Sequence, residues 1–146
     1  MRLLLVFLIG MVFNPSISWQ TDIQKAEQSA KTEHKFIILN FSGSDWCGPC
    51  IRLHKEVFDS EVFTNYASGH LVLLNADFPR AKKNQLSKEQ QKRNDEVADV
   101  YNKDGVFPLT LLLNPDGKVL KRWDGFPKES AEEFTNEINA VVDAAK

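Results

Sequence analysis

The two cysteines of this 146-residue chain stand together in the segment Cys47-Gly48-Pro49-Cys50. Thiols three positions apart lie on one face of a helix, one turn from each other. If a helix begins at Cys47, its free amide groups and the positive end of its dipole favour a thiolate and lower the Cys47 pKa. Cys50 can then attack a mixed disulfide formed at Cys47 and release the partner. The pattern predicts two catalytic cysteines that form a redox-active disulfide.

The two residues between the cysteines indicate a mild redox pair. Gly48 leaves the attacking sulfur uncovered, and Pro49 suits a first helical turn, where its missing N–H is not needed. Neither carries a charge that would stabilise the thiolate strongly, so we expect a weaker oxidant than a motif with His or Lys at these positions.

Two other uses of the cysteine pair are a metal site and a structural disulfide. Cys47, Cys50 and His54 have spacing that could begin a zinc site, but a structural site needs four ligands, and only His34 and His70 remain as imidazole donors. We therefore expect no metal and interpret the three histidines as surface or helix-face residues. A purely structural disulfide is disfavoured because closing so short a loop removes little entropy from the unfolded chain.

The N-terminus has the pattern of a secretory signal peptide. Arg2 precedes an unbroken apolar run over residues 3–13, which Asn14 and Pro15 end, and small residues then stand at the two positions that a signal peptidase reads, Ser16 and Ser18. We expect cleavage after Ser18, export to the periplasm or beyond, and one mature domain over residues 19–146. The alternative is an uncleaved anchor, but a spanning helix needs about 20 apolar residues, so no stable membrane insertion is expected after cleavage.

Composition narrows the function further. Without Arg2 the chain has 17 basic and 20 acidic residues, which is not the positive excess typical of nucleic-acid-binding proteins. An exported domain with a single close cysteine pair is not using many disulfides for stability, so the pair is better explained by chemistry.

Hydrophobic patterning predicts the elements that position this pair. A continuous apolar run at residues 35–41 indicates a buried strand just before the motif, and a helix should continue from the motif to residue 58. The order is βα, βα, then ββα, which implies an α/β fold with a central mixed four-stranded sheet and helices on both faces. The other predicted elements are helices at residues 21–31, 60–67, 88–102 and 129–144, and strands at 71–76, 109–113 and 118–123. The residues expected to face inward from the helix after the motif and from the helix at 88–102 are Ile51, Leu53, Val57, Phe58, Val97, Val100 and Tyr101.

The chain resembles the thioredoxin superfamily, and in particular the exported thioredoxin-like proteins of bacteria. The segment from Trp46 to Cys50, WCGPC, is identical to the family's active-site motif, and it follows a buried strand and opens a helix. The segment GVFPLT at residues 105–110 resembles the family's cis-proline loop, and NPDGKVLKRWDGF resembles the hairpin after it. The resemblance covers residues 20–146 and implies a thioredoxin-like fold.

This resemblance implies roles for individual residues. Cys47 would be the nucleophile and Cys50 the resolving thiol, and no cofactor would be required. Phe107 and Pro108 would form a cis peptide beside the sulfurs, the alternative being a trans proline that starts an edge strand. The substrate-binding residues would be Trp46, Gly48, Pro49, Phe107 and Pro108.

Two departures from the family pattern stand out. Thioredoxins bury an aspartate below the motif, and here Asn40 takes that place; because Asn cannot titrate, we expect deprotonation of Cys50 to rely on water or on Asp45. The second departure is a long polar insert around residues 80–94, whose basic residues could form a docking patch or a solvated helix face.

The sequence therefore predicts an exported, monomeric thiol–disulfide oxidoreductase that acts on protein disulfides, more as a reductant than as an oxidant. A reductant in an oxidising compartment needs a membrane electron donor to recharge it. The alternative is a thioredoxin-like binding or chaperone module whose CxxC is structural or regulatory.

Overall fold

The computed structural model describes residues 17–146. The predicted signal peptide, residues 1–18, lies almost entirely outside this range. The secondary-structure elements of residues 17–146 are, in chain order, strand β1 (Trp19–Gln20), helix α1 (Ile23–Glu33), β2 (Phe36–Ser42), α2 (Gly48–Leu53), a π-helical segment (His54–Phe58), α3 (Glu61–His70), β3 (Leu71–Asp77), a 3₁₀ turn (Lys82–Asn84), α4 (Lys88–Tyr101), β4 (Leu109–Leu113), β5 (Val119–Asp124) and α5 (Ala131–Ala144).

One mixed sheet organises these elements, in the strand order β1-β3-β2-β4-β5. β3 is parallel to β1 and β2, whereas β4 is antiparallel to both β2 and β5. This confirms the α/β, thioredoxin-like fold and corrects the number of strands from four to five. The added strand, β1, is only two residues long, too short for the alternating pattern that identifies a strand in a sequence.

Strand β2 is the centre of the molecule. All seven of its residues are buried, because apolar layers cover both faces of the sheet. One layer contains residues of α2, the π-helical segment, α3 and α5, and the other contains residues of α1 and α4. The loop that leaves the end of β2 leads directly to Cys47, so this fully buried central strand fixes the position of the motif.

Local sequence signals set most helix boundaries. Asp22 caps α1 and Ser60 caps α3, each by accepting bonds from amide groups of the first turn. Helix α5 begins with a capping box, in which the side chains of Ser130 and Glu133 each accept a bond from the other residue's backbone N–H.

Two inward-facing assignments were wrong. Ile51 is 48% exposed and Val100 is 65% exposed. Ile51 directly follows the buried Cys50 and therefore points to a different face of α2, and Val100 is on the outer side of α4, whose buried apolar contact is Val97. In both helices the apolar stripe is narrower than the sequence pattern indicated.

Among residues 17–146, no helix combines the length and the apolar character that a membrane crossing requires.

Candidate active site

Cys47 occupies the N-cap of α2, as the motif predicted. Its Sγ accepts a hydrogen bond from the backbone N–H of Cys50 at 3.3 Å, and its own N–H donates to the carbonyl of Gly43 at 2.9 Å. The two cysteines form a disulfide with their Cα atoms 5.2 Å apart. An amide that points at sulfur at the start of a helix also stabilises the thiolate formed on reduction.

Burial distinguishes the cysteines from the residues between them. Cys47 is 5% exposed and Cys50 only 1%, whereas Gly48 and Pro49 are exposed. Cys47 is thus the more exposed of the two cysteine residues, and Gly48 and Pro49 form the exposed surface of the motif between them.

An aromatic cluster adjoins the motif. Trp46 Nε1 donates to the carbonyl of Phe78 at 2.7 Å, and the ring of Phe107 lies 5.4 Å from that of Trp46 and 5.6 Å from that of Phe78. A Cβ at Gly43 would overlap the Trp46 indole, so this position requires glycine. The cluster connects the motif turn to the loop before β4.

The Phe107–Pro108 peptide bond is cis. Pro108 is buried, and its carbonyl accepts a bond from the N–H of Gly125 at 2.8 Å, which ties the loop to the end of β5. Through the contact between Phe107 and Trp46, this loop lies beside the motif.

Asp45 is used differently from the proton-relay role considered for it. Its carboxylate accepts bonds from the N–H groups of Arg80 and Ala81 at 2.9 and 2.8 Å and from Asn84 Nδ2 at 2.9 Å. These hydrogen bonds lower the Asp45 pKa, and the bond from the Arg80 backbone N–H has the largest effect. A carboxylate held as the anion by loop amides is a poor proton acceptor, so Asp45 instead anchors the first part of the polar insert beside the motif.

The insert itself divides into two parts. Its first part is the loop that Asp45 anchors, where the Arg80 guanidinium lies 3.7 Å from the centre of the Trp46 ring. Its second part is α4, whose basic residues Lys92 and Arg93 approach Glu96 and Asp22 at 3.8 and 3.9 Å. The helical part fits the solvated-face interpretation, and the basic residue of the insert that contacts the motif is Arg80 of the loop.

We expect Asp45→Asn to loosen this loop, because asparagine keeps only one accepting oxygen, whereas the Arg80 and Ala81 amides donate to different oxygens of Asp45. Hydrogen exchange should accelerate at whichever of these two amides then faces the NH₂ group. In the wild type the folded-state pKa of Asp45 is lowered, so the anchor is intact above the unfolded value of 3.8 and is lost as pH falls through the folded value. Asp104→Asn, at an exposed position, is the control; unchanged exchange in Asp45→Asn would contradict the anchoring role.

Asn40 is fully buried in β2, on the side of the strand that pairs with β4. Its Nδ2 donates to the Leu109 carbonyl at 3.3 Å and to Thr110 Oγ1 at 3.1 Å, and its Oδ1 lies 3.2 Å from His54 Nε2. Asn40 therefore connects the strand after the cis peptide to the helix after the motif.

His54 was considered in the sequence only as a zinc ligand or a surface or helix-face residue, and its place beside Asn40 was not expected. It follows Cys50 by four residues, so the two share a helix face. Its ring lies 5.1 Å from each of the rings of Trp19 and Phe58, and it lines a groove of about 400 Å³ together with Cys50. The spacing from Cys50 was visible in the sequence, but only the structure provides Trp19 and Asn40 as its neighbours.

Comparison with known proteins places the chain in a family. Residues 23–141 match a family described as thioredoxin-like domain. A disulfide bond reductase of Chlamydia pneumoniae, DsbH, is 32% identical over 127 residues, which cover 87% of this chain and 74% of that protein. A solved structure of a DsbH oxidoreductase superposes with a TM-score of 0.77 at 31% identity, covering 87% of this chain and 85% of the other.

A second relative is longer. The thioredoxin-related protein DsbJ of Chlamydia pneumoniae is 26% identical over 129 residues, which cover 88% of this chain but 36% of that protein. This chain thus corresponds to about a third of that relative.

Proposed function

Because the chain belongs to the thioredoxin-like domain family, we propose that its Cys47–Cys50 pair works as an exported reductant of protein disulfides. The family and the cysteine pair make the chain a thiol–disulfide oxidoreductase. The observation that carries the proposal is Cys47 at the N-cap of α2, its sulfur facing the Cys50 amide.

The proposed reaction has two exchanges. The Cys47 thiolate attacks one sulfur of the substrate disulfide, forms a mixed disulfide and expels the other substrate sulfur as a thiolate. The Cys50 thiolate then attacks Cys47 Sγ, expels the second substrate thiolate and closes the disulfide present in the structure. Two electrons pass from the enzyme dithiol to the substrate.

Substrate would dock on the surface around the motif. We assign this role to Gly48 and Pro49, which are exposed over the sulfurs, and to Trp46, Phe107 and Pro108 beside them. The backbone of Phe107 would pair with an extended substrate segment, which gives affinity without requiring one substrate sequence.

The reducing direction is supported by the residues between the cysteines and by a relative. Gly48 and Pro49 bring no charge that would stabilise the Cys47 thiolate, and a stabilised thiolate is what makes such a pair oxidising. The Chlamydia pneumoniae relative is a disulfide bond reductase.

Export and recharging belong to the same proposal. Cleavage after Ser18 would remove only Ile17 and Ser18 from the described residues and leave β1, which begins at Trp19. Each reduced substrate leaves the enzyme dithiol oxidised to a disulfide, and an oxidising compartment does not reduce it again. A membrane donor must therefore return two electrons after each reaction. Full activity in cells without a transmembrane electron supply would instead indicate an oxidant.

Cys50→Ser is the variant that tests this function. Without the resolving thiol, the mixed disulfide at Cys47 should persist and appear on non-reducing gels as covalent adducts that dithiothreitol releases. The matched control is the double variant Cys47→Ser, Cys50→Ser, which should form none. If the double variant formed no adducts but still bound its partners as tightly as the wild type does, the result would support a binding module instead.

A further inference from the structure

The second exchange requires Cys50 to lose its proton in a place that solvent barely reaches. Cys50 is 1% exposed, and a neutral thiol is a poor nucleophile. A nearby group that accepts the proton would accelerate this step. The structure allows each neighbouring titratable group to be considered in turn.

The carboxylates near the motif are engaged elsewhere or exposed. Asp45 anchors the loop at Arg80. Both oxygens of Asp77 accept bonds, from the backbone and side chain of Ser44 and from Ser42 and Phe78. Lys55 and Asp59 also line the groove, but both side chains are exposed to solvent. His54 remains.

The hydrogen bonds of Asn40 determine which His54 nitrogen is basic. The Leu109 carbonyl can only accept, so the Asn40 atom that faces it is Nδ2 and the atom that faces His54 is Oδ1. Oδ1 can only accept, so Nε2 of His54 carries a hydrogen. In the neutral ring the lone pair is then on Nδ1.

We propose that His54, held as the Nε2–H tautomer by Asn40, accepts the Cys50 proton during resolution of the mixed disulfide. The proposal rests on the function assigned above. The proton moves from Cys50 Sγ through a groove water to His54 Nδ1, while the Cys50 electron pair forms the new S–S bond. The substrate sulfur leaves as a thiolate, and the imidazolium returns its proton to that thiolate or to solvent.

The surroundings of His54 keep the imidazole neutral at pH 7. Burial between Trp19 and Phe58 lowers the His54 pKa, and this outweighs the opposing charges of Asp59 and Asp77. Since the pKa lies below the usual 6.5, the proton-accepting form persists down to mildly acidic pH and is lost as pH falls further.

His54→Gln tests the proposal with little structural change, because a glutamine amide can still donate to Asn40 Oδ1 but cannot take a proton. The measurement is stopped-flow release of thionitrobenzoate by Cys50 from a thionitrobenzoate adduct on Cys47, between pH 5 and 9. At pH 7 we expect resolution to slow by about 10²-fold. The wild-type rate should show a plateau above the His54 pKa, whereas the variant rate should rise about tenfold per pH unit with the Cys50 thiolate.

A matched histidine variant separates the role of His54 from a general effect of removing an imidazole. His70→Gln, at an exposed helix-end histidine, should leave the profile unchanged. Coincident profiles for wild type and His54→Gln would overturn the proposal.

An NMR titration of the wild-type protein provides a test that does not depend on a variant folding. Imidazole nitrogen shifts should show the Nε2–H tautomer and a His54 pKa below 6.5. A ring protonated on Nδ1 would overturn the proposal. If resolution occurs with an unchanged profile, only this inference fails, whereas absence of any Cys47 adduct would reject the proposed function itself.

Discussion

Replacing Cys47 with serine is expected to abolish reduction of insulin disulfides, with a loss of about 10³-fold or more in rate. A serine hydroxyl stays protonated at neutral pH, and the amide of Cys50 cannot offset that difference. Cys50 offers no substitute nucleophile, because it is 1% exposed beneath the helix start. Insulin turbidity with dithiothreitol as the donor measures the effect.

The control for this loss is Ile51→Ala, which removes an exposed apolar side chain next to Cys50 without touching the sulfurs. It should retain most of the activity. If Cys47→Ser reduced insulin at a rate near that of the wild type, the assignment of Cys47 as nucleophile would be wrong.

Phe58→Ala is expected to destabilise the fold by about 3–5 kcal/mol, the range for truncating a buried phenylalanine. Phe58 is 2% exposed, and its ring lies 5.0 Å from those of Trp19 and Phe63 and 6.3 Å from that of Phe134. It thus connects β1, α3 and α5, and alanine would leave a cavity at their junction. Urea unfolding followed by circular dichroism measures the change.

Val100→Ala is the matched control for stability. Because Val100 is exposed on α4, this substitution should lower the free energy of unfolding by less than about 0.5 kcal/mol. A destabilisation below about 1 kcal/mol for Phe58→Ala would mean that neighbouring rings collapse into the space. Because Phe58 also packs on His54, the variant should perturb the resolution step measured above as well as stability.

The sequence alone was sufficient for features that depend on neighbours along the chain. Two local signals lie around the dithiol: the apolar run that forms β2 and the Gly-Pro pair that starts α2. Together with the two cysteines, they were enough to predict the redox pair, its helix and the family resemblance. Repeating patterns specify such elements because a strand or helix brings residues a fixed number of positions apart onto one face.

Only the tertiary structure decided which side chains meet across the sheet and around the motif. The register of β2 against β4 places Asn40 opposite Thr110, and this pairing, with the path of α2, brings His54 to Asn40. The two residues of β1 carry no periodic signal, yet they supply Trp19 as the other neighbour of His54. Hydrogen-bond partners of this kind are separated by many residues in the chain, so their choice depends on packing of the whole domain and not on any local pattern.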